Sequence, residues 1–166
     1  MAIETLSTTG MSREQAYRTV IAQTRQLISD EEDLVANLAN VSSLLKHTFE
    51  DYLWVGFYLT SHSDPGELVL GPFQGRPACT RIRFGKGVCG TSASERRTVV
   101  VEDVDKFPGH IVCDSLSRSE IVVPIIAGGR VAGVLDVDSS ELDNFGETDR
   151  KYLEELAKIL TRLFDK

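Results

Sequence analysis

The apolar positions change period along the chain, and each change marks an element. After Ser12, the residues Tyr17, Val20, Ile21, Leu27 and Ile28 share one helical face. Ser12-x-x-Gln15 is a capping-box pattern that starts this helix. Ser29-x-x-Glu32 repeats the signal, and the acidic residues at 30–33 suit a helix N-terminus. A second helical stripe follows through Leu34, Val35, Leu38, Val41, Leu45 and Phe49. At Tyr52–Thr60 the pattern becomes a strand rich in aromatic and β-branched residues, apolar on both faces as a central strand is. The run SHSDPG is its turn. Glu67–Phe73 is the next strand, Gln74–Thr80 a loop, and Arg81–Phe84 a short strand. A glycine turn at Gly85–Thr91 enters a short helix through Glu95, and Arg97–Val101 is again a strand. Ile121–Ile126 and Val131–Asp138 flank Ala127-Gly128-Gly129-Arg130, a strong hairpin signal. Pro124 within the first of these strands suits a bulge or an unpaired position. Glu147, Thr148 and Asp149 open a last helix with Leu153, Leu156, Ile159, Leu160, Leu163 and Phe164 on one face. This order predicts an α+β fold, an antiparallel sheet with the N- and C-terminal helices packed on one face. A single domain over 12–166 is expected after a flexible N-terminal segment, 1–11.

Composition narrows the setting. The 166 residues are 42% hydrophobic and 26% charged, ordinary values for one domain with its own core. A net charge of −7, with scattered Lys and Arg, argues against a nucleic-acid or anionic-membrane surface. The opening MAIETLSTTG has neither a basic start nor an apolar run, so no signal peptide is read. No apolar stretch approaches the roughly 20 residues of a membrane span. A cytoplasmic, reducing location is therefore expected, where the odd set Cys79, Cys89 and Cys113 is a poor disulfide framework. Their spacings with His110 match no common zinc pattern, so no metal is expected. That leaves inert buried thiols or redox-active ones.

The densest chemistry lies in Glu102–Glu120, EDVDKFPGHIVCDSLSRSE, a long loop with one helical turn. Its Phe107, Ile111, Val112 and Leu116 predict an ordered loop packed back on the fold. Asp136 and Asp138, two apart on a strand, point to one face. Either the strand runs out into solvent there, or the pair is a cation site for a metal or a substrate ammonium. Counted out from the hairpin turn, Glu120 faces a residue close to Asp136–Asp138, so three carboxylates meet at one rim unless the register slips. Gly85-Lys86-Gly87-Val88-Cys89-Gly90-Thr91 fails the P-loop pattern, yet its helix-start N–H groups can hold a smaller anion such as a carboxylate.

The segments WVGFYL (54–59), GPFQGRPACTRI (71–82), GKGVCGTS (85–92), EDV…FPGHIVCDSLSRSEIVVPI (102–125) and GVLDVDS (133–139) resemble the free methionine-(R)-sulfoxide reductases, a family of GAF-domain enzymes. The resemblance covers nearly the whole chain beyond the N-terminal residues. It implies a six-stranded antiparallel GAF sheet, a homodimer, and reduction of free methionine-(R)-sulfoxide with no bound cofactor and thioredoxin as external reductant. By motif, Cys113 corresponds to the catalytic nucleophile and Cys79 to the usual resolving cysteine. Cys89 is the third family cysteine, with a less settled role. Glu120, Asp136 and Asp138 fall on the carboxylate cluster, for proton donation and ammonium binding, and Trp54 and Tyr58 on the aromatic substrate pocket. The alternative is a non-catalytic GAF sensor of a small ligand or of redox state.

Overall fold

The computed structural model describes residues 7–165, so most of the expected flexible segment (1–6) lies outside the described residues. Helix α1 (Arg13–Leu27) begins with the anticipated capping box, Ser12 Oγ accepting from the Gln15 N–H and Gln15 Oε1 from the Ser12 N–H. Helix α2 (Leu34–Thr48) corrects the second cap. Its N-cap is Asp33, which accepts from the Ala36 N–H at 2.8 Å. Ser29 instead donates its hydroxyl to the Gln26 carbonyl at 2.8 Å, at the end of α1. The rest of the order is β1 (Trp54–Thr60), β2 (Glu67–Gln74), β3 (Arg81–Arg83), α3 (Gly87–Glu95), β4 (Val99–Val101), β5 (Ser119–Ala127), β6 (Arg130–Ser139) and α4 (Glu147–Leu160). Short 3-10 turns at Val104–Lys106 and Thr161–Leu163 complete it.

The six strands form one antiparallel sheet in the order β3-β2-β1-β6-β5-β4. Pro124 pairs in register with Val134, while β4 reaches only Val122 on the other side of β5. The proline therefore lies beyond the end of β4, where a missing N–H costs no ladder bond to it.

Alternation along the central strands sends two sets of side chains to opposite faces. Val55, Phe57, Ile121, Val123, Ile125, Leu135 and Val137 join the buried stripes of α1, α2 and α4 in the larger core. Each fully buried aliphatic or aromatic side chain there contributes about 1.5–3 kcal/mol. Trp54, Tyr58, Val122 and Val134 face the other way, into a smaller apolar cluster with α3 and the loops. The helices thus pin the strands from one side and leave the other side free to be furnished by loops.

Gly56 on β1 keeps that second face open. A Cβ there would collide with Phe73 and lie 2.7 Å from Trp54 Cη2, with Phe73 Cα at 2.8 Å. The Trp54 ring can therefore lie over the backbone next to Asp136, which pairs opposite Gly56. Gly56→Ala is expected to destabilise the fold by about 1–3 kcal/mol, the usual cost of overpacking, and to disturb the Trp54 environment. Urea denaturation monitored by the single tryptophan measures both.

Candidate active site

Strand β6 carries Asp136 and Asp138 on its second face, and strand pairing adds the rest. Glu120 of β5 lies directly opposite Asp138, and on the other side of β6 Trp54 of β1 is opposite the same aspartate. Tyr58 is opposite Val134, two residues from Asp136 on the same face. The hairpin has a bulge between Ile125 and Ile126, where the register shifts by one. All three carboxyl side chains are enclosed at one end of the sheet and line one pocket with Trp54 and Tyr58. The strand does not run out into solvent at Asp136, which is only 6% exposed.

Two loops close this end. Cys79, between β2 and β3, and Cys113, between β4 and β5, are joined in a disulfide with a Cα–Cα distance of 5.7 Å across 34 residues of sequence. The loop of Cys113 is packed down by Val104, Phe107 and Ile111. Val112 and Leu116, expected to pack as well, are exposed: they flank the cysteine on its outer side. Cys89 sits apart from the disulfide, a free buried thiol in the first turn of α3. Its sulfur and one oxygen each of Glu120 and Asp136 lie within 4.8 Å of one another, the one set among the described residues that could share a metal ion. The zinc set weighed from Cys79, Cys89, Cys113 and His110 does not assemble, because two of its thiols are bonded to each other.

Three pocket residues carry weight that pattern reading did not assign. His110 Nε2 is 3.6 Å from Glu120 Oε2. Ser117 donates its hydroxyl to Asp138 Oδ1. Asp114 accepts from the Leu116 N–H at 2.9 Å through Oδ1, while its Oδ2 is buried without a partner. A histidine and an aspartate beside a loop cysteine were the available signal, but a loop has no period to say which way its side chains turn. Lys86 is the N-cap of α3 with no side-chain cap, and Gly87 and Val88 line the pocket. The unpaired first-turn N–H groups of α3 thus point an anion-binding end at it.

Burial dominates the electrostatics. Desolvation pushes the Glu120, Asp136 and Asp138 carboxyl groups well above the usual carboxylate range, and each is raised further by a neighbour: Asp138, Glu120 and Asp136 respectively. Burial likewise raises the Cys89 thiol, with Asp136 adding to it. Each of these groups is thereby shifted toward its protonated form. Burial lowers the His110 pKa, so its contact with Glu120 joins a neutral ring to a carboxyl group. Among the described residues, Asp136 Oδ1 is another buried oxygen with no hydrogen-bond donor. Two orphaned acceptors in one pocket, Asp136 Oδ1 and Asp114 Oδ2, suit a ligand that brings N–H donors.

A GAF domain family model matches residues 29–165. GAF domain-containing protein A of Dictyostelium discoideum is 52% identical over 90% of this chain and 92% of its own length. The free methionine-R-sulfoxide reductase of Saccharomyces cerevisiae is 43% identical over 92% of this chain and 87% of the yeast protein. The crystal structure of free methionine-R-sulfoxide reductase from Neisseria meningitidis in complex with its substrate superposes with a TM-score of 0.91 at 53% identity, covering 96% of this chain and 94% of that one.

The raised carboxyl pKa values set the pH dependence of stability. The native state keeps protons that the unfolded chain releases above pH ~4. Stability from this source is complete below the unfolded pKa values and is lost as pH rises through the raised folded ones. Asp136→Asn removes one such group without changing its shape. Its stability is expected to fall less than that of the parent between pH 5 and pH 8, and to exceed the parent's at pH 8. Urea midpoints at the two pH values check the sign.

Proposed function

The chain belongs to the free methionine-R-sulfoxide reductases of the GAF-domain family, and from that premise we propose that it reduces free methionine-(R)-sulfoxide to methionine through Cys113. The observation that carries this reading is the Cys79–Cys113 disulfide, with Cys113 in the wall of a pocket that Glu120, Asp136 and Asp138 also line. A sulfoxide sulfur is electrophilic, and its oxygen departs only when protonated. Cys113 supplies the thiolate, and one of Glu120, Asp136 or Asp138 supplies the proton. The net step breaks the S–O bond, leaves an electron pair on methionine sulfur and places the oxygen on Cys113 as a sulfenic acid. Cys79 then attacks that sulfur and water leaves, which forms the Cys79–Cys113 disulfide. A thioredoxin dithiol returns both cysteines to thiols in the cytoplasm. All electrons come from thiols, so the reaction calls for no prosthetic cofactor.

The remaining carboxylates bind the substrate ammonium, helped by the unpartnered Asp136 Oδ1. The start of α3 takes the α-carboxylate. Trp54 and Tyr58, 6.0 Å apart between ring centroids, wall the methyl group and so read its hand. Cys89, buried and neutral, keeps its proton and supports Asp136. Buried α1 and α2 stripes leave positions such as exposed Val35 for the homodimer contact.

The test is methionine formation from the free (R)-sulfoxide with a thioredoxin system. Cys113→Ser is expected to lose on the order of 10³-fold or more in turnover. Cys79→Ser is expected to form one methionine per chain and then stall with thioredoxin; sustained turnover would transfer resolution to Cys89. Peptide-bound methionine sulfoxide, which lacks both charged ends, is expected to react poorly. Thiol oxidation by the sulfoxide without any methionine would favour the redox-sensor alternative.

A further inference from the structure

The loop that carries Cys79 is fastened to the pocket wall by the wall's own polar atoms. Residues 75–80 connect β2 to β3, and 75–77 are exposed. Two buried side chains of β1 reach into this loop. Trp54 donates its indole Nε1–H to the Arg76 carbonyl at 3.1 Å. Tyr58 donates its hydroxyl to the carbonyl of Cys79 itself at 2.9 Å. The Arg76 guanidinium in turn reaches Asp114, next to Cys113, at 3.6 Å. Both aromatic residues are at most 3% exposed and stand on the rigid centre of the sheet, paired to β6. An apolar wall needs only rings. A phenylalanine at 58 would supply the same surface without the hydroxyl, which here is spent on the resolving cysteine's backbone.

We propose that Tyr58, with Trp54, is a positioning residue for disulfide formation: its hydroxyl holds the Cys79 loop against the pocket, so that Cys79 meets the sulfenic acid on Cys113 as soon as it forms. This rests on the reading of Cys113 and Cys79 given above. The step it assists is Cys113–SOH plus Cys79–SH giving the S–S bond and water. Holding the loop in place turns a search by a flexible segment into a reaction between preplaced groups. It also gives each ring two tasks, one toward substrate and one toward the second thiol, so the two half-reactions share a wall.

Tyr58→Phe removes the hydroxyl and keeps the ring. Reduced protein is mixed with one equivalent of free methionine-(R)-sulfoxide and no reductant. Methionine is quantified after quenching, and disulfide by mass after thiol blocking. The ratio of the disulfide rate to the methionine rate is expected to fall about fivefold below the parent's, the factor for ~1 kcal/mol of a neutral hydrogen bond. Dimedone is expected to trap more Cys113 sulfenic acid in the variant. Trp54→Phe is expected to shift the same way and the double variant further. Equal disulfide rates in Tyr58→Phe and parent would overturn the proposal and reduce the bond to mere satisfaction of a buried hydroxyl. Equal slowing of both steps would overturn it too, by placing the hydroxyl in the sulfoxide chemistry. Failure of the parent protein to make methionine would sink the functional reading instead. Hydrogen peroxide, which oxidises a thiolate without needing a sulfoxide pocket, then still compares the two disulfide rates.

Discussion

Glu120 and Asp138 stand opposite each other across two paired strands, with Asp136 beside them and, among the described residues, no cationic side chain hydrogen-bonded to any of the three. Three carboxyl groups shut away from water cannot all ionise, so the fold must hold them together against a real cost. It does so from the other face. Ile121, Val123, Leu135 and Val137 alternate with the acidic positions and are buried under α1, α2 and α4. To separate the carboxyl groups, the hairpin would have to slide, and sliding by one residue would turn that apolar set outward. The rim is tied as well. The Ser119 hydroxyl donates to the Glu141 carbonyl at 2.6 Å and accepts from the Asn144 N–H at 3.3 Å. Asn144 reaches Asp51, which also receives Arg13 from α1.

This constraint sorts the three thiols. A thiolate next to ionised carboxylates would be disfavoured, but next to proton-bearing ones it is tolerable. Cys89 sits beneath the cluster in α3, where burial keeps it a thiol. Cys79 and Cys113 come in on loops above it, partly accessible and bonded to each other. In the proposed reaction the rigid sheet and α3 hold the proton chemistry, and the loops hold the electron chemistry. A disulfide that must form and be reduced in every cycle belongs on segments that can yield without unpacking a core.

The sequence made the elements legible because their periods are clean, and the site legible only where strands carry it. Asp136 and Asp138 share a face by spacing alone. Glu120 joins them through a feature no pattern announced. Pairing continued from Ala127–Arg130 and Ile126–Val131 would set Glu120 opposite Val137, with its side chain on the helix-covered face. The bulge at Ala132 adds one residue and changes that parity. A hairpin count could bring Glu120 to the right end of the sheet but could not choose its face. Helix α2 was misplaced at its start because Ser29 and Asp33 are both good caps, and only the closing turn of α1 decides between them. His110, Asp114 and Ser117 escaped because loop side chains follow tertiary packing. The pairing of Cys79 with Cys113 came from family resemblance, since spacing across 34 residues fixes no partner.

In the proposed reaction the same cluster binds an ammonium and donates a proton, and the two acts are electrostatically linked. Without substrate, burial and the neighbouring carboxyl groups raise each of the three pKa values and favour the protonated forms. In the proposed reaction, the substrate brings a positive charge to Asp136 and its neighbours. A cation a few ångströms from a carboxyl group stabilises its ionised form, most strongly where water is excluded. Binding the ammonium therefore makes a neighbouring carboxyl a stronger acid just when a sulfoxide oxygen is in place to receive its proton. A substrate without that charge would fill the pocket and leave the acid weak. On this account selectivity for the free amino acid resides in the chemical step as well as in binding, and it follows from burying three carboxyl groups side by side.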